Sequence, residues 1–412
     1  MTAREAAYAT LLRVFEHDAY ADRAFATAAR DLDPRERAFA QRLAFGAVQR
    51  VRTLDHSIET LGRRPVRKLD PPVRAALRLG AYQLAYVDSV PPHAAANESV
   101  ELVRGAGLER AVAFTNAVMR RLSEGIADLV AGLPEETPQQ AALRHSYPDW
   151  IAETFFRDFG ADEALALLAA QNEPQPTVVR HVRGEPPAGE PDPHVPGAFH
   201  VERVDEQELA AGRVWPQSTA SQLAGLAVGI RPGERVLDLC AAPGGKTALL
   251  AAVASEVVAV ELHASRTREL EENLRRLGAS NVTVVNADGT ELPPELTGFD
   301  RALVDAPCSG TGVLSRRPDL RWRSKPLPEL QLALLRAAAE RVKPGGKVLY
   351  SVCALNADEN EAVVAASGLE PDPLGGEWPE FAHPRRSEFL LTLPHVHHTS
   401  GFFVARLRVG SP

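Results

Sequence analysis

Apolar positions recur at helical spacing through the first third of the chain. Tyr8, Leu11, Leu12 and Phe15 fall on one helical face, Val51, Leu54, Ile58 and Leu61 form a second stripe, and Val73, Leu77 and Leu84 a third. Asp33-Pro34-Arg35-Glu36 marks a helix start: an acid at the N-cap, proline at the first helical position and Glu three residues after the cap. Pro91-Pro92 separates two further helices. The pattern predicts a compact all-α bundle of about six or seven helices over residues 1–130. Residues 131–213 read differently. Leu133 to Pro138 and Tyr147-Pro148 suggest a linker, Trp150 to Ala170 a helix, Val178 to Val182 a short strand, and the Pro/Gly-rich stretch Gly184 to Gly197 a loop. Together they make a small α+β segment ahead of the last unit.

Over residues 214–412 the period alternates between strand and helix. Strands are expected at Arg235–Leu239, Val257–Leu262, Val282–Asn286, Arg301–Val304 and Lys347–Ser351. Helices fit at Thr247–Ala254, Ser265–Leu277, Leu327–Val342 and Glu359–Ala366. Such alternation predicts an α/β unit with a doubly wound, mostly parallel sheet. Gly401 to Leu407 would add a last strand at or near the sheet's edge.

Composition narrows the function classes. A chain of 412 residues exceeds one ordinary domain, and 45% hydrophobic with 24% charged residues is the balance of a globular protein. No apolar run is long enough for a membrane span, and the charged start Met1-Thr-Ala-Arg-Glu5 has no signal-peptide core. The three cysteines, Cys240, Cys308 and Cys353, are widely separated and form no CxxC pair. That disfavours structural zinc and a disulfide framework, and favours reduced thiols in the cytoplasm. The net charge of -8 is uneven: residues 1–130 carry 19 basic and 16 acidic side chains, so the acidic excess lies in the remainder. A mildly basic first unit permits a local nucleic-acid patch. Arg63, Arg64, Arg67 and Lys68 form one basic cluster, and Arg120 and Arg121 another; solvated helix faces explain them equally well.

In open α/β sheets ligands bind beyond the C-terminal ends of the strands. Every unusual residue of the last unit falls at such an end. The first strand delivers Cys240-Ala241-Ala242-Pro243-Gly244-Gly245-Lys246, a tight glycine turn opening a helix. The second ends in Glu261, 16 residues after Gly245, near the spacing of an acid that bonds ribose hydroxyls. The third ends in Asp288, which either contacts an adenosine moiety or caps a turn with Gly289. The fourth ends in Asp305-Ala-Pro-Cys308 and the fifth in Cys353. A phosphate loop is a weak alternative because the glycine it requires is Cys240 here. Cys240 itself reads equally as inert core. His395, His397 and His398 lack matching ligand spacing and read as an exposed loop, so no metal is expected.

The stretches Asp238-Leu-Cys-Ala-Ala-Pro-Gly-Gly-Lys-Thr247, Asp305-Ala-Pro-Cys-Ser-Gly-Thr-Gly312, Arg317-Pro-Asp-Leu-Arg-Trp322, Tyr350-Ser-Val-Cys353, Glu359-Asn-Glu361 and Gly401-Phe-Phe-Val-Ala-Arg-Leu407 closely resemble the motifs of the RNA cytosine-5 methyltransferase family. Val214-Trp-Pro-Gln217 resembles the segment entering that family's catalytic domain. Pro92-His-Ala-Ala-Ala-Asn-Glu-Ser-Val100 and Phe114 to Leu122 resemble the RNA-binding helical bundle of the antitermination factor NusB. Three departures stand out: Val352 where the family often has Thr, Ser400 where it often has Asp, and a short Pro-rich region over 180–216.

The resemblance implies a Rossmann-like methyltransferase domain behind a NusB-like bundle. It implies S-adenosyl-L-methionine as cofactor and one cytosine of 16S rRNA, or of a small-subunit assembly intermediate, as substrate. Cys353 is then the attacking thiol, Cys308 the helper in product release, and Asp305 the group polarising the ring at nitrogen 3 while protonated or sharing a proton. Residues Cys240 to Lys246, Glu261, Asp288 and Asp305 line the cofactor site. The enzyme is expected to act as a cytoplasmic monomer without a metal. Two rival classes are an inactive RNA-binding protein that keeps the fold and a methyltransferase for protein or small molecules. Both leave the paired thiols unexplained.

Overall fold

Thr2 starts the first helix, α1 (Ala3–Glu16). Its hydroxyl accepts the Glu5 N–H while the Glu5 carboxylate accepts the Thr2 N–H, a reciprocal capping box. Asp33 caps α3 (Pro34–Gln49) as expected, accepting from the Arg35 and Glu36 N–H groups. The structure is a computed structural model that describes residues 1–410, and it divides into two units. The first comprises Met1–Glu173 together with Leu314–Arg323. Its helices are α1, α2 (Ala21–Ala28), α3 (Pro34–Gln49), α4 (Val51–Gly62), α5 (Pro71–Tyr86), α6 (Pro92–Gly105), α7 (Glu109–Ala131), α8 (Pro138–His145), α9 (Asp149–Phe159) and α10 (Ala161–Ala170). The stripe residues Leu11, Leu54, Ile58, Val73 and Leu77 are all in its buried core.

The sequence reading placed a linker over residues 131–148. The structure puts α8 there, opened by a second capping box between Thr137 and Gln140. Pro138, which reads as a breaker, occupies the first helical turn, where its missing N–H costs nothing. The segment 131–213, expected as one small α+β piece, divides after Glu173: α8 to α10 belong to the first unit, while its strands and the short helix Glu206–Ala210 belong to the second.

Ten residues from the middle of the catalytic sequence also belong to the first unit. Arg321 is 1% exposed. Its guanidinium donates to Ser146 O, Gln171 O and Asn172 Oδ1, and stacks 3.9 Å from the Tyr147 ring centre. Trp322 Nε1 donates to Val48 O. Sequence periodicity carries no sign of this insertion, because its anchors are carbonyls far away along the chain.

The second unit holds two sheets. The smaller is antiparallel, in the order β2 (Glu190–Pro191), β3 (Ala198–His200), β1 (Val178–His181), β4 (Val214–Pro216). The larger contains β5 (Arg235–Leu239), β6 (Glu256–Glu261), β7 (Val282–Asn286), β8 (Phe299–Asp305), β9 (Val342–Val352), β10 (Glu370–Pro371), β11 (Leu390–Thr392) and β12 (Phe402–Arg408). Its order is β10-β12-β9-β8-β5-β6-β7, with β11 also pairing β12. Strands β5 to β9 run parallel, and β12 runs antiparallel beside β9. The chain winds outward from β5 to β7, then returns to β8 on the other side of β5. That reversal opens a crevice beyond the ends of β5 and β8. Strand β12 lies one place in from the edge, near where the sequence put it. Among the described residues no helix is long and apolar enough to cross a membrane.

Two local expectations need correction. β9 begins at Val342, which pairs with Phe299; Lys343-Pro344-Gly345-Gly346 form an irregularity before pairing resumes at Lys347 opposite Arg301. The histidine triplet is not an exposed loop: Pro394–His397 forms a helical turn, and the half-buried His397 ring accepts the Leu393 N–H at Nδ1. Burial holds the pKa of His397 below its ordinary value.

Candidate active site

Strand β5 ends in a turn that only a left-handed residue can make. Cys240 takes this role with φ 61°, and Gly244 follows at 103°. The turn is held from behind by the helix Ala264–Leu277: Arg266 Nη2 donates to Ala242 O and Asn273 Nδ2 to Pro243 O, each at 2.8 Å. Gly245 is needed for close approach, since a Cβ there would meet the Trp215 indole nitrogen at 2.4 Å. The Cys240 thiol is pushed up to about 12, first by burial and then by the charges of Asp305, Glu261 and Asp238. It stays protonated near neutral pH and is not a nucleophile.

Beneath the turn lies Asp238, which the sequence reading quoted only as part of a motif. It is 1% exposed; its Oδ2 accepts the Thr247 hydroxyl at 2.7 Å, and its Oδ1 has no partner. Burial raises its carboxyl to about 7. An acid whose pKa is higher folded than unfolded stabilises the fold only while protonated. That stability is complete below the ordinary carboxylate range and is lost as pH climbs toward 7. Asp238→Asn should therefore remove a fall of at most ~4 kcal/mol in unfolding free energy across this window. Urea titrations from about pH 4 to pH 8 check it; parallel profiles for variant and wild type would exclude Asp238 as the source.

Glu261 ends β6 at 2% exposure. Its Oε1 accepts the His263 N–H, and its buried Oε2 has no hydrogen-bond partner, the Arg266 guanidinium lying 3.8 Å away. Asp288 is exposed and closes the turn after β7, accepting the Thr290 N–H and hydroxyl on Oδ1. Those bonds hold its pKa below the ordinary value. Turn capping is thus its observed role in the free chain.

The fourth and fifth strand ends meet. Asp305 pairs in register with Ser351, and its Oδ1 accepts the Ser351 hydroxyl at 2.8 Å. Its Oδ2 accepts from Lys246 Nζ at 2.8 Å. The expected acid therefore has a basic partner, supplied by the glycine turn. Cys308 and Cys353 lie with their sulfurs 3.4 Å apart. The Cys308 thiol is raised well above its ordinary pKa, first by the hydrogen bond with Cys353 and then by burial.

Groups that do no chemistry hold this pair. Glu359 is fully buried; its Oε1 accepts from Ser309 N, Leu327 N and Gln331 Nε2, and its Oε2 from Asn356 Nδ2. Gly312 N–H donates to Cys353 O, and Gly312 O accepts from Gly401 N–H. The sequence reading had these residues inside motifs but no role for them. Their function is to join three distant loops, which spacing alone does not reveal. Among the described residues no group of three or more His, Cys, Asp or Glu is placed to hold a metal.

In the first unit the two basic clusters turn out to be neighbours. Arg121 Nη1 donates to Leu61 O and Gly62 O, at the end of α4 that leads into Arg63, Arg64, Arg67 and Lys68. All six side chains are exposed or rim the surface, so they make a single basic face.

Residues 226–408 match the model of the 16S rRNA methyltransferase RsmB/F family, and residues 1–124 that of the NusB family. A probable ribosomal RNA small subunit methyltransferase B of Synechocystis is 33% identical, over 99% of each chain. The ribosomal RNA small subunit methyltransferase B of Thermus thermophilus is 38% identical, over 84% of this chain and 83% of its own. The chain belongs to the RsmB/F family of rRNA methyltransferases. Among solved structures, a methyltransferase homolog from Pyrococcus horikoshii covers 67% of this chain and 99% of its own at 28% identity and TM-score 0.57. PH0851 shares the fold at TM-score 0.82 over 98% of both chains. As an RsmB/F enzyme it takes its methyl group from S-adenosylmethionine. The rim of β5 to β8 fits such a donor. Two buried carboxylate oxygens, Glu261 Oε2 and Asp238 Oδ1, lack a protein partner, and a glycine turn lies between them. Ribose hydroxyls and an amino group, both hydrogen-bond donors, would suit these two acceptors.

Proposed function

We propose that the protein methylates carbon 5 of one cytosine in 16S rRNA, free or within a small-subunit assembly intermediate, through a transient bond between Cys353 and the base. The reading is of a cytoplasmic monomer that uses no metal. The observation that carries it is the 3.4 Å approach of the Cys308 and Cys353 sulfurs beside Asp305. Neither a binding protein nor a methyltransferase for nucleophilic side chains has use for paired thiols on the cofactor rim.

Carbon 5 of cytosine is a weak nucleophile. Addition of the Cys353 thiolate at carbon 6 moves electron density to carbon 5, which splits one hard step into two easier ones. S-adenosylmethionine supplies the electrophilic methyl group. The hydrogen bond with Cys353 and burial raise Cys308, which favours its protonated form in the free site. Once Cys353 is bonded to the ring, the interaction that most raises Cys308 is gone. Cys308, having released its own proton to solvent, then takes the carbon 5 proton as the carbon–sulfur bond breaks. Asp305 meets the nitrogen 3 edge of the base and shares a proton there with Lys246. Ser351 fixes the carboxylate in this orientation. Cys240 to Lys246 and Asp288 complete the cofactor site with Glu261 and Asp305. The target base must leave its stack to reach this rim. The exposed cluster at Arg63, Arg64, Arg67, Lys68 and Arg121 holds flanking RNA by its phosphates.

The reading is tested by supplying 16S rRNA, both deproteinised and within small-subunit assembly intermediates, with labelled S-adenosylmethionine, then digesting the RNA to nucleosides. All label should co-migrate with 5-methylcytidine. Label in another nucleoside, or none at all, overturns the proposal.

A further inference from the structure

Arg180 carries a positive charge into the second unit with nothing to balance it. The residue is 7% exposed, and its Nε and Nη2 are buried without any hydrogen-bond partner. The other buried arginines are anchored. Arg78 pairs with Asp55, Arg301 with Glu234, Arg406 with Asp372 and Glu377, and Arg321 donates to several carbonyls. Burial alone pushes Arg180 down to about 10, with no carboxylate raising it. Buried polar groups are as a rule hydrogen-bonded, and an orphaned cation points to an acceptor that arrives from outside.

Strand register says where that acceptor would sit. Arg180 lies directly opposite Ala198 on β3 and Trp215 on β4, so the three side chains share one face of the small sheet. Val178 and Val182 share that face by alternation. Val178 and Ala198 pack into the cluster that contains Phe402 and touches Cys353. Val182 and Trp215 pack instead against Ala241, Ala242 and Ala248, and the Trp215 indole lies against Gly245. The face that carries Arg180 therefore borders both clusters, the one against which Cys353 packs and the one that includes Ala241 and Ala242 of the glycine turn.

We infer that Arg180 is an oxyanion-binding residue of the catalytic unit, completed by a substrate or cofactor oxygen. Two sources share this chemistry: a phosphodiester of the RNA next to the target nucleotide, and the carboxylate of the methyl donor. A planar guanidinium with two free N–H edges suits either by paired hydrogen bonds. The inference deepens the site described above, but it does not need the covalent step, because binding is read without turnover.

The test uses the full-length Arg180→Met and Arg180→Lys variants. Thermal melting is followed without ligand, affinity for S-adenosylmethionine by calorimetry, and affinity for 16S rRNA by filter binding over a salt series. Arg180→Met should melt no lower than wild type, since it removes an uncompensated charge, and should bind one of the two ligands at least ~10-fold more weakly. Arg180→Lys, which keeps the charge but not the planar fork, should fall between. Weakening confined to RNA, with the salt slope reduced by about one, identifies the phosphodiester. Weakening confined to S-adenosylmethionine identifies its carboxylate. Unchanged affinity for both ligands overturns the inference. So does a lower melting temperature for Arg180→Met, which would make Arg180 a structural cation.

Discussion

Cys353→Ala should transfer no methyl group and form no bond to RNA, whereas Cys308→Ala should accumulate a protein–RNA adduct that survives denaturation. The expected loss for Cys353→Ala is on the order of 10⁴-fold or more, because the variant lacks the step that makes carbon 5 nucleophilic. Cys308→Ala has a different defect. Its proposed nucleophile is intact, and the missing thiol lies 3.4 Å from that sulfur, beside the bond that the proposed mechanism breaks. Addition and methyl transfer proceed, but elimination stalls. A denaturing gel with labelled 16S rRNA separates the two variants directly. Were the roles of the two thiols exchanged, Cys353→Ala would be the variant trapped on RNA. Methyl transfer by Cys353→Ala at the wild-type rate would end the covalent mechanism.

Gly312→Ala should cost the second unit ~3 kcal/mol and lower its melting temperature by roughly 6–12 °C. A Cβ at Gly312 would lie 2.1 Å from Gly401 O and 2.6 Å from its carbonyl carbon. Both contacts are backbone, so no rotamer relieves them. The same glycine donates its N–H to Cys353 O, and Gly401 donates back to Gly312 O. The clash is therefore passed to Cys353, the proposed nucleophile, and kcat should fall by about 10²-fold even where the fold survives. Gly401→Ala is a useful contrast, since its Cβ would meet the Leu355 side chain, which can rearrange. It should be milder in both measurements. Gly376→Ala, with no atom within 4 Å, should be neutral. A Gly312→Ala protein that melts within a degree of wild type would show that the loops are free to separate and that the thiol is not held this way.

Much of the architecture was legible in the chain. The helical stripes found their core, and the alternating strands found a parallel sheet, because hydrophobic period is local information. The failures are equally physical. Pro138 was read as a break because proline ends helices more often than it begins them, yet the Thr137–Gln140 capping box was visible at the right spacing. Asp288 kept two readings because an acid before Gly289 suits a turn as well as a ligand. Asp238 and Glu359 were seen as motif letters only. Their meaning is burial: one keeps an orphaned oxygen under the glycine turn, the other collects four donors, three of them from Ser309, Leu327 and Gln331 far back along the chain.

What the residues alone determined is the kind of chemistry: a glycine turn, acids and thiols at successive strand ends, and motifs of an RNA methyltransferase. Which thiol faces which, that Lys246 rather than an empty dry site partners Asp305, and that Leu314–Arg323 is built into the helical unit were decided only in three dimensions. The reason is range. Strand ends and caps are set by neighbours a few residues away, while the Cys308–Cys353 contact, the Gly312–Gly401 ladder and the Arg321 anchor join positions 45 to 175 residues apart, whose encounter no local pattern encodes.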